Sequence, residues 1–175
     1  MFKTKKSLGQ HFLTNQSVLA TIMATANLTP EDTALEGGPG EGFLTAAMLR
    51  TGARVTAIEK DNRLINFLTK KFNEAIKHKQ LELIHADILK IKNLKLKVKS
   101  WKLVANIPYY LTGQIIRQFL TAKNQPTSMT LMLQKEVAER IARNGKESLL
   151  SVSVKCYGTP HYICTVPRGA FRPPP

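Results

Sequence analysis

Cysteine is nearly absent from the chain: Cys156 and Cys164 are its only two. Two are too few for a disulfide scaffold, and their separation lacks the CxxC spacing of a structural zinc site. Long hydrophobic runs are missing as well, since no stretch approaches the roughly 18 apolar residues of a membrane span. The N-terminal cations Lys3, Lys5 and Lys6 run into Gly9, Gln10 and His11 and not into an apolar secretory segment, so the cytoplasm is the expected compartment. Acidic residues are scarce, with 12 Asp and Glu against 26 Lys and Arg and a formal net charge of +14. Such an imbalance points to a polyanionic partner, nucleic acid before an anionic membrane surface. There are no internal repeats and no low-complexity linker. What the 175 residues do contain is 43% apolar side chains, enough to fill the core of one domain.

Short β-branched runs alternate with stretches of helical period, the pattern of an α/β fold built on a largely parallel sheet. Val18, Leu19, Ile22, Met23 and Ala26 recur at spacings of three and four and predict a helix between Asn15 and Asn27. Thr33 to Glu36 reads as a strand that enters Gly37-Gly38-Pro39-Gly40-Glu41-Gly42, and Phe43, Leu44, Ala47 and Met48 mark the helix that follows. A second strand, Arg54 to Ile58, closes on Glu59, and Asp61 is placed to cap a helix through Leu64, Ile65, Leu68 and Phe72. Further strands are expected at Leu81–His85, Lys102–Ala105 and Met129–Leu133, with helices over 113–122 and 135–143. The tail from Leu149 to Val166 reads as two strands turning at Gly158, Thr159 and Pro160, which would form an antiparallel edge hairpin and bring the sheet to seven strands with helices on both faces.

Glycines at a strand-to-helix turn let the backbone approach a ligand, and the helix N-terminus beyond them offers unpaired N–H groups. A ligand-free tight turn would use the same residues. Glu59, 21 residues after Gly38 at the end of the next strand, stands where an acid accepts hydrogen bonds from ribose hydroxyls. Asp87, after the third strand, offers an acceptor for an adenine amino group, or simply caps the following turn. The glycines run G-x-G-x-G and do not by themselves separate NAD from S-adenosylmethionine. Asn106-Ile107-Pro108-Tyr109 is more informative. The exocyclic nitrogen of a nucleobase is a poor nucleophile because its lone pair is delocalised into the ring. An Asn oxygen and an adjacent backbone carbonyl can hold that amine in attacking geometry, Pro108 stiffens the loop, and Tyr109 offers a face for an extruded base.

Gly9-Gln10-His11-Phe12-Leu13, Glu36 to Gly42, Glu59, Asp87, Asn106 to Tyr110, Gln134-Lys135-Glu136-Val137 and Phe171-Arg172-Pro173-Pro174-Pro175 follow one another along nearly the whole chain. In that order they resemble the KsgA-type rRNA adenine N6,N6-dimethyltransferases. The resemblance implies a Rossmann-like, class I methyltransferase fold, S-adenosylmethionine as cofactor and no metal. It also implies two adjacent adenosines of small-subunit (16S) rRNA as substrate, with the chain acting as a monomer. It puts the cofactor contacts on Gln10, His11, Leu13, Gly38, Gly40, Glu59, Lys60, Asp87, Ile88 and Asn106, and the catalytic positions on Asn106, Tyr109 and Phe171. Gly37 stands where that family usually carries Ile or Val, which suggests a looser loop. The family also continues past the proline-rich motif into a helical domain, so residues 1–175 read as its catalytic domain alone. The alternatives on the same fold are an Erm-type enzyme acting on large-subunit rRNA and a non-catalytic ribosome-assembly factor. A nicotinamide-dependent dehydrogenase is disfavoured because Asn106 to Tyr109 has no part in hydride transfer. Lys90, Lys92, Lys95, Lys97, Lys99 and Lys102, six cations in thirteen residues, suggest either an RNA phosphate patch or a solvated edge. His78, His85 and His161 show no metal-ligand spacing.

Overall fold

The computed structural model describes residues 10–91, 98, 100–143 and 147–175. Lys3, Lys5, Lys6 and Gly9, and Lys92, Lys95, Lys97 and Lys99 of the basic run, lie outside the described residues. In chain order the elements are β1 (Phe12–Leu13), α1 (Gln16–Ala26), β2 (Thr33–Gly37), α2 (Phe43–Arg50), β3 (Arg54–Glu59), α3 (Asn62–Lys71), α4 (Asn73–Lys77) and β4 (Leu81–His85). They are followed by β5 (Lys102–Asn106), α5 (Thr112–Leu120), β6 (Ser128–Met132), α6 (Lys135–Ala142), α7 (Leu149–Tyr157) and β7 (Phe171–Arg172). Local chemistry sets several of these ends. The Asn15 side chain accepts from Val18 N, Asn27 closes α1 in the left-handed conformation, and Asp61 caps α3 by accepting from Arg63 N.

β4, β3, β2, β5 and β6 lie side by side in that order, and every neighbouring pair is parallel. Alternate side chains of the central strands serve two cores, as the two-residue period of a strand requires. Ala34, Val55, Ala57 and Val104 pack with Leu19 and Ile22 of α1 and Leu44 and Met48 of α2. Leu35, Ile58, Leu103 and Ala105 face the other way, against Ile115 and Phe119 of α5 and Trp101. Helices on both faces explain why every residue of β2 is buried. The chain leaves the middle of the sheet in both directions, toward β3 and β4 and toward β5 and β6. A crevice therefore opens beyond the C-terminal ends of β2 and β5, the place where such sheets take ligands.

The sheet departs from expectation in two respects. Residues 149–166 form no edge hairpin, and among the described residues the parallel sheet has five strands, not seven. Leu149–Tyr157 is helix α7, packed against α5 and α6, and residues 158–167 carry no regular structure. Serine alternating with Val152 and Val154 imitates a strand's period, whereas the start of the segment is a reciprocal cap: Ser151 N donates to Ser148 Oγ at 3.1 Å and Ser148 N to Ser151 Oγ at 2.7 Å. The antiparallel pair is found elsewhere, where β1 meets β7 with Phe12 opposite Arg172 and Leu13 opposite Phe171. Gly37 leaves no gap in the sheet: it pairs with Ile58, and a Cβ there would lie 2.5 Å from Ile88 Cδ1, so Ile88 fills the place of the missing side chain. Lys102 is engaged within the fold, its Nζ donating to Asp32 Oδ2 at 3.0 Å and to the Asn27 carbonyl at 2.7 Å.

Candidate active site

The turn after β2 is shaped by Gly38, Gly40 and Gly42, with φ of 72°, 59° and 78°. These left-handed values strain any residue with a Cβ. Gly38 N donates to the Ile58 carbonyl at 2.9 Å, which extends the β2–β3 ladder by one residue before the turn. A side chain at Gly38 would meet nothing within 4 Å, whereas one at Gly40 would lie 2.8 Å from the Phe12 ring. One glycine thus faces open space and the other is covered. The open space is a cavity of about 280 Å³ at the C-terminal edge of the sheet, walled by Gly38 to Glu41, Glu59, Asp87, Asn106 to Leu111 and Gln10 to Thr14.

Glu59 is a buried carboxylate on that wall. Its Oε1 accepts from Asp61 N at 2.8 Å and its Oε2 from Gly40 N at 3.3 Å, so the acid is bonded directly to the glycine turn. Burial raises its pKa, with the backbone donors of Asp61, Gly40 and Lys60 opposing the shift. Next to it, Asp61 is held ionised well below the usual range by Arg63, whose Nη2 lies 2.6 Å from Oδ2, and Gln10 Nε2 donates to the same oxygen at 3.2 Å. Asp87 performs the capping role open to it, accepting from Leu89 N at 3.1 Å. It also accepts from Lys60 Nζ at 2.9 Å, the interaction that contributes most to its lowered pKa. Ile88, directly after it, is buried against Gly37.

Asn106 ends β5, and its Nδ2 donates to the His11 carbonyl at 3.0 Å, which leaves Oδ1 to act as the acceptor. The ring of His11 stacks on Tyr109 with centroids 6.1 Å apart and planes inclined by 21°. A second, larger cavity of about 1020 Å³ runs from this point along β6, α1 and residues 157–168. His11, Asn106 and Tyr109 line both cavities. The first suits a nucleoside, with the carboxylates of Glu59 and Asp87 as acceptors for ribose and amine and a glycine turn that a ligand can approach closely. The second has room for a larger group that meets the first at Asn106.

Along residues 1–175 the sequence matches the family described as ribosomal RNA adenine dimethylase. The chain belongs to that family. It is 48% identical over 176 aligned positions to a ribosomal RNA small subunit methyltransferase A of Dehalococcoides mccartyi, covering 99% of this chain and 60% of that one. A Fusobacterium nucleatum protein of the same name is 38% identical, with coverage of 99% and 66%. The chain thus spans about three fifths of the length of the Dehalococcoides relative. Among solved structures, the 23S rRNA methyltransferase ErmE superposes with a TM-score of 0.82 at 31% identity, covering 94% of this chain and 65% of that one. A dimethyladenosine transferase from Plasmodium falciparum gives 0.80 at 30%, with 94% and 59% covered. The fold is the Rossmann-like methyltransferase fold of the family.

Of the residues singled out from sequence, Gln10, His11, Leu13, Gly38, Gly40, Glu59, Lys60, Asp87, Ile88, Asn106 and Tyr109 all line the first cavity. Phe171 does not. It lines the second cavity, and its ring is committed to the core beside Leu13 and Ala170, with 8% of the residue exposed. Sequence reasoning missed Glu36 as a site residue. It lies on the wall of the first cavity, fully buried, and accepts from Thr45 Oγ1 at 2.6 Å. Burial, with help from neighbouring Glu59, pushes its pKa up to about 8, so it holds a proton at neutral pH. An acid inside an otherwise apolar strand was the signal available.

Proposed function

We propose that the chain transfers methyl groups from S-adenosylmethionine to N6 of adenosine in small-subunit rRNA, on two adjacent nucleotides. The observation that carries this reading is the place of Asn106 and Tyr109 where the two cavities meet. Glu59 fits the two ribose hydroxyls, Asp87 the adenine amine, and Gly38 leaves the backbone open to the ligand, so the residues present suit this cofactor. When bound, it supplies an electrophilic sulfonium methyl.

The chain's own residues do the positioning, which for an in-line displacement is most of catalysis. Asn106 Oδ1 and the adjacent Ile107 carbonyl accept from the target amine and direct the nitrogen toward the first cavity. Tyr109 stacks on the adenine and keeps it out of the duplex. Phe171, mostly buried, adds an edge of the second cavity and not an open stacking face. The proposal places the chain in the cytoplasm with the ribosomal RNA it modifies. It acts there as a monomer, a reading supported by the fact that one chain lines both cavities. No helix of the described residues is long and apolar enough to cross a membrane.

The likeness to ErmE supports a second reading, large-subunit rRNA as substrate. Tritiated methyl incorporation into isolated small and large subunits separates them. Label on adenosine N6 of small-subunit rRNA, lost in Asn106→Ala, is the expected result. Label confined to large-subunit rRNA would replace the proposal with the second reading.

A further inference from the structure

Segments from the two ends of the described chain pair beside the first cavity, which residues 10–14 line. β1 and β7 form a two-stranded ribbon, prolonged on one side by Thr14, whose N and Oγ1 donate to the Ala170 carbonyl at 2.9 and 3.2 Å. On the other side His11 Nδ1 donates to the Pro173 carbonyl at 3.0 Å. The ribbon lays Phe12 against Gly40 and packs it with Leu64 and Leu68 of α3. From the same ribbon Arg172 Nη2 reaches Glu41 Oε2 at 2.9 Å, while the Glu41 carbonyl accepts from Lys71 Nζ at 2.6 Å. Glu41 is the one residue of the turn between Gly40 and Gly42 that can be held by its side chain, and cations from two separate elements grip it. The turn is held at Gly38, Gly40 and Gly42 by backbone hydrogen bonds, and Glu41 adds a side-chain tie that glycines cannot make.

We propose that Arg172 is a positioning residue: through Glu41 it holds the glycine turn in its ligand-binding shape, so that the segment carrying Phe171 on the wall of the second cavity also sets how long a ligand stays in the first. This rests on the S-adenosylmethionine reading for the identity of that ligand. The ion pair is partly exposed, which makes its effect modest and sensitive to salt. Its placement gives it leverage, because it ties a wall of the substrate cavity to the backbone that faces the cofactor.

The test loads the 175-residue chain with tritiated S-adenosylmethionine and chases it with excess unlabelled compound. Glu41→Gln and Arg172→Met should each release label about three- to fivefold faster than the parent chain, with an unchanged melting temperature. High salt should bring the parent close to the variants' rate, and the exchanged pair Glu41→Arg with Arg172→Glu should recover much of the slow release. A merely structural contact would move the melting temperature and leave the release rate unchanged. Parent-like release from the near-isosteric Glu41→Gln would overturn the clamp while leaving the cofactor reading intact. If the parent retains no label and calorimetry detects no binding of S-adenosylmethionine, the cofactor reading itself fails. Amide hydrogen exchange at Gly38 to Gly42 in the ligand-free chain then decides the clamp, with faster exchange in Glu41→Gln upholding it and unchanged exchange refuting it.

Discussion

Two buried carboxylates, Glu36 and Glu59, stand side by side in the crevice with opposite tasks. On the proposed function Glu59 accepts from the ribose hydroxyls as a carboxylate, and losing such a charged acceptor costs about 1.5 to 3 kcal/mol. Glu59→Ala should therefore weaken S-adenosylmethionine binding about 10- to 150-fold by calorimetry in a chain that remains folded. Because burial raises the pKa of Glu59, affinity should fall on acidification earlier than for an ordinary glutamate, as the carboxylate is lost when pH drops through the raised value. Glu36 is neutral in the fold and ionised in the unfolded chain between its ordinary pKa and about 8. Over that interval the folded state binds more protons, so its contribution to stability declines as pH rises. Glu36→Gln keeps an acceptor for the Thr45 hydroxyl and has no proton to lose. Its melting temperature relative to the parent should climb between pH 5 and 8, and a pH-independent difference would contradict the assignment. Tyr109→Ala should slow single-turnover methyl transfer at saturating cofactor by about 5- to 150-fold, the worth of a base stack of about 1 to 3 kcal/mol. Transfer at the parental rate would remove Tyr109 from the mechanism.

Elements whose periodicity and caps agree were legible in the sequence. α1 lies between Asn15 and Asn27 because both ends carry a residue that caps in place, and β3 leads to Glu59 because its apolar run is bounded by the Asp61 cap. Leu81–His85 was expected and found as β4. α7 was not legible, since Ser151 occupies the position where a Glu or Gln would have announced a capping box, and packing on α5 and α6 overrides the β propensity of Val152 and Val154. Ser148→Ala should accordingly lower stability by about 1 kcal/mol in denaturant unfolding, the usual worth of an N-cap, whereas a residue in a strand would show little change. The β1–β7 ribbon also escaped sequence reading. Two-residue strands have no period, and their pairing joins residues about 160 positions apart that only the folded sheet brings together. The gathering of candidate residues in one cavity was legible where a motif sits at a strand end, as with Glu59, Asp87 and Asn106. It was not legible where it depends on contact at a distance, as with Arg172 on Glu41 or Phe12 beneath Gly40.

In the whole molecule, a parallel sheet that reverses its strand order at β2 and β5 creates one crevice, and the ribbon from the chain's two ends divides what lies above it into a smaller and a larger cavity. The two cavities share His11, Asn106 and Tyr109, which is where the proposed function has cofactor and substrate meet. On the proposed function, the net charge of +14 would supply a general attraction for RNA phosphates, which positions without specifying sequence, and the choice of adenine would fall to the side chains at that junction. All of this requires the smaller cavity to hold S-adenosylmethionine. Calorimetric titration of the chain with S-adenosylmethionine and, separately, with NAD is the most direct measurement. The account predicts saturable one-to-one binding of S-adenosylmethionine and none of NAD; NAD binding, or no binding of S-adenosylmethionine by the folded chain, would contradict it.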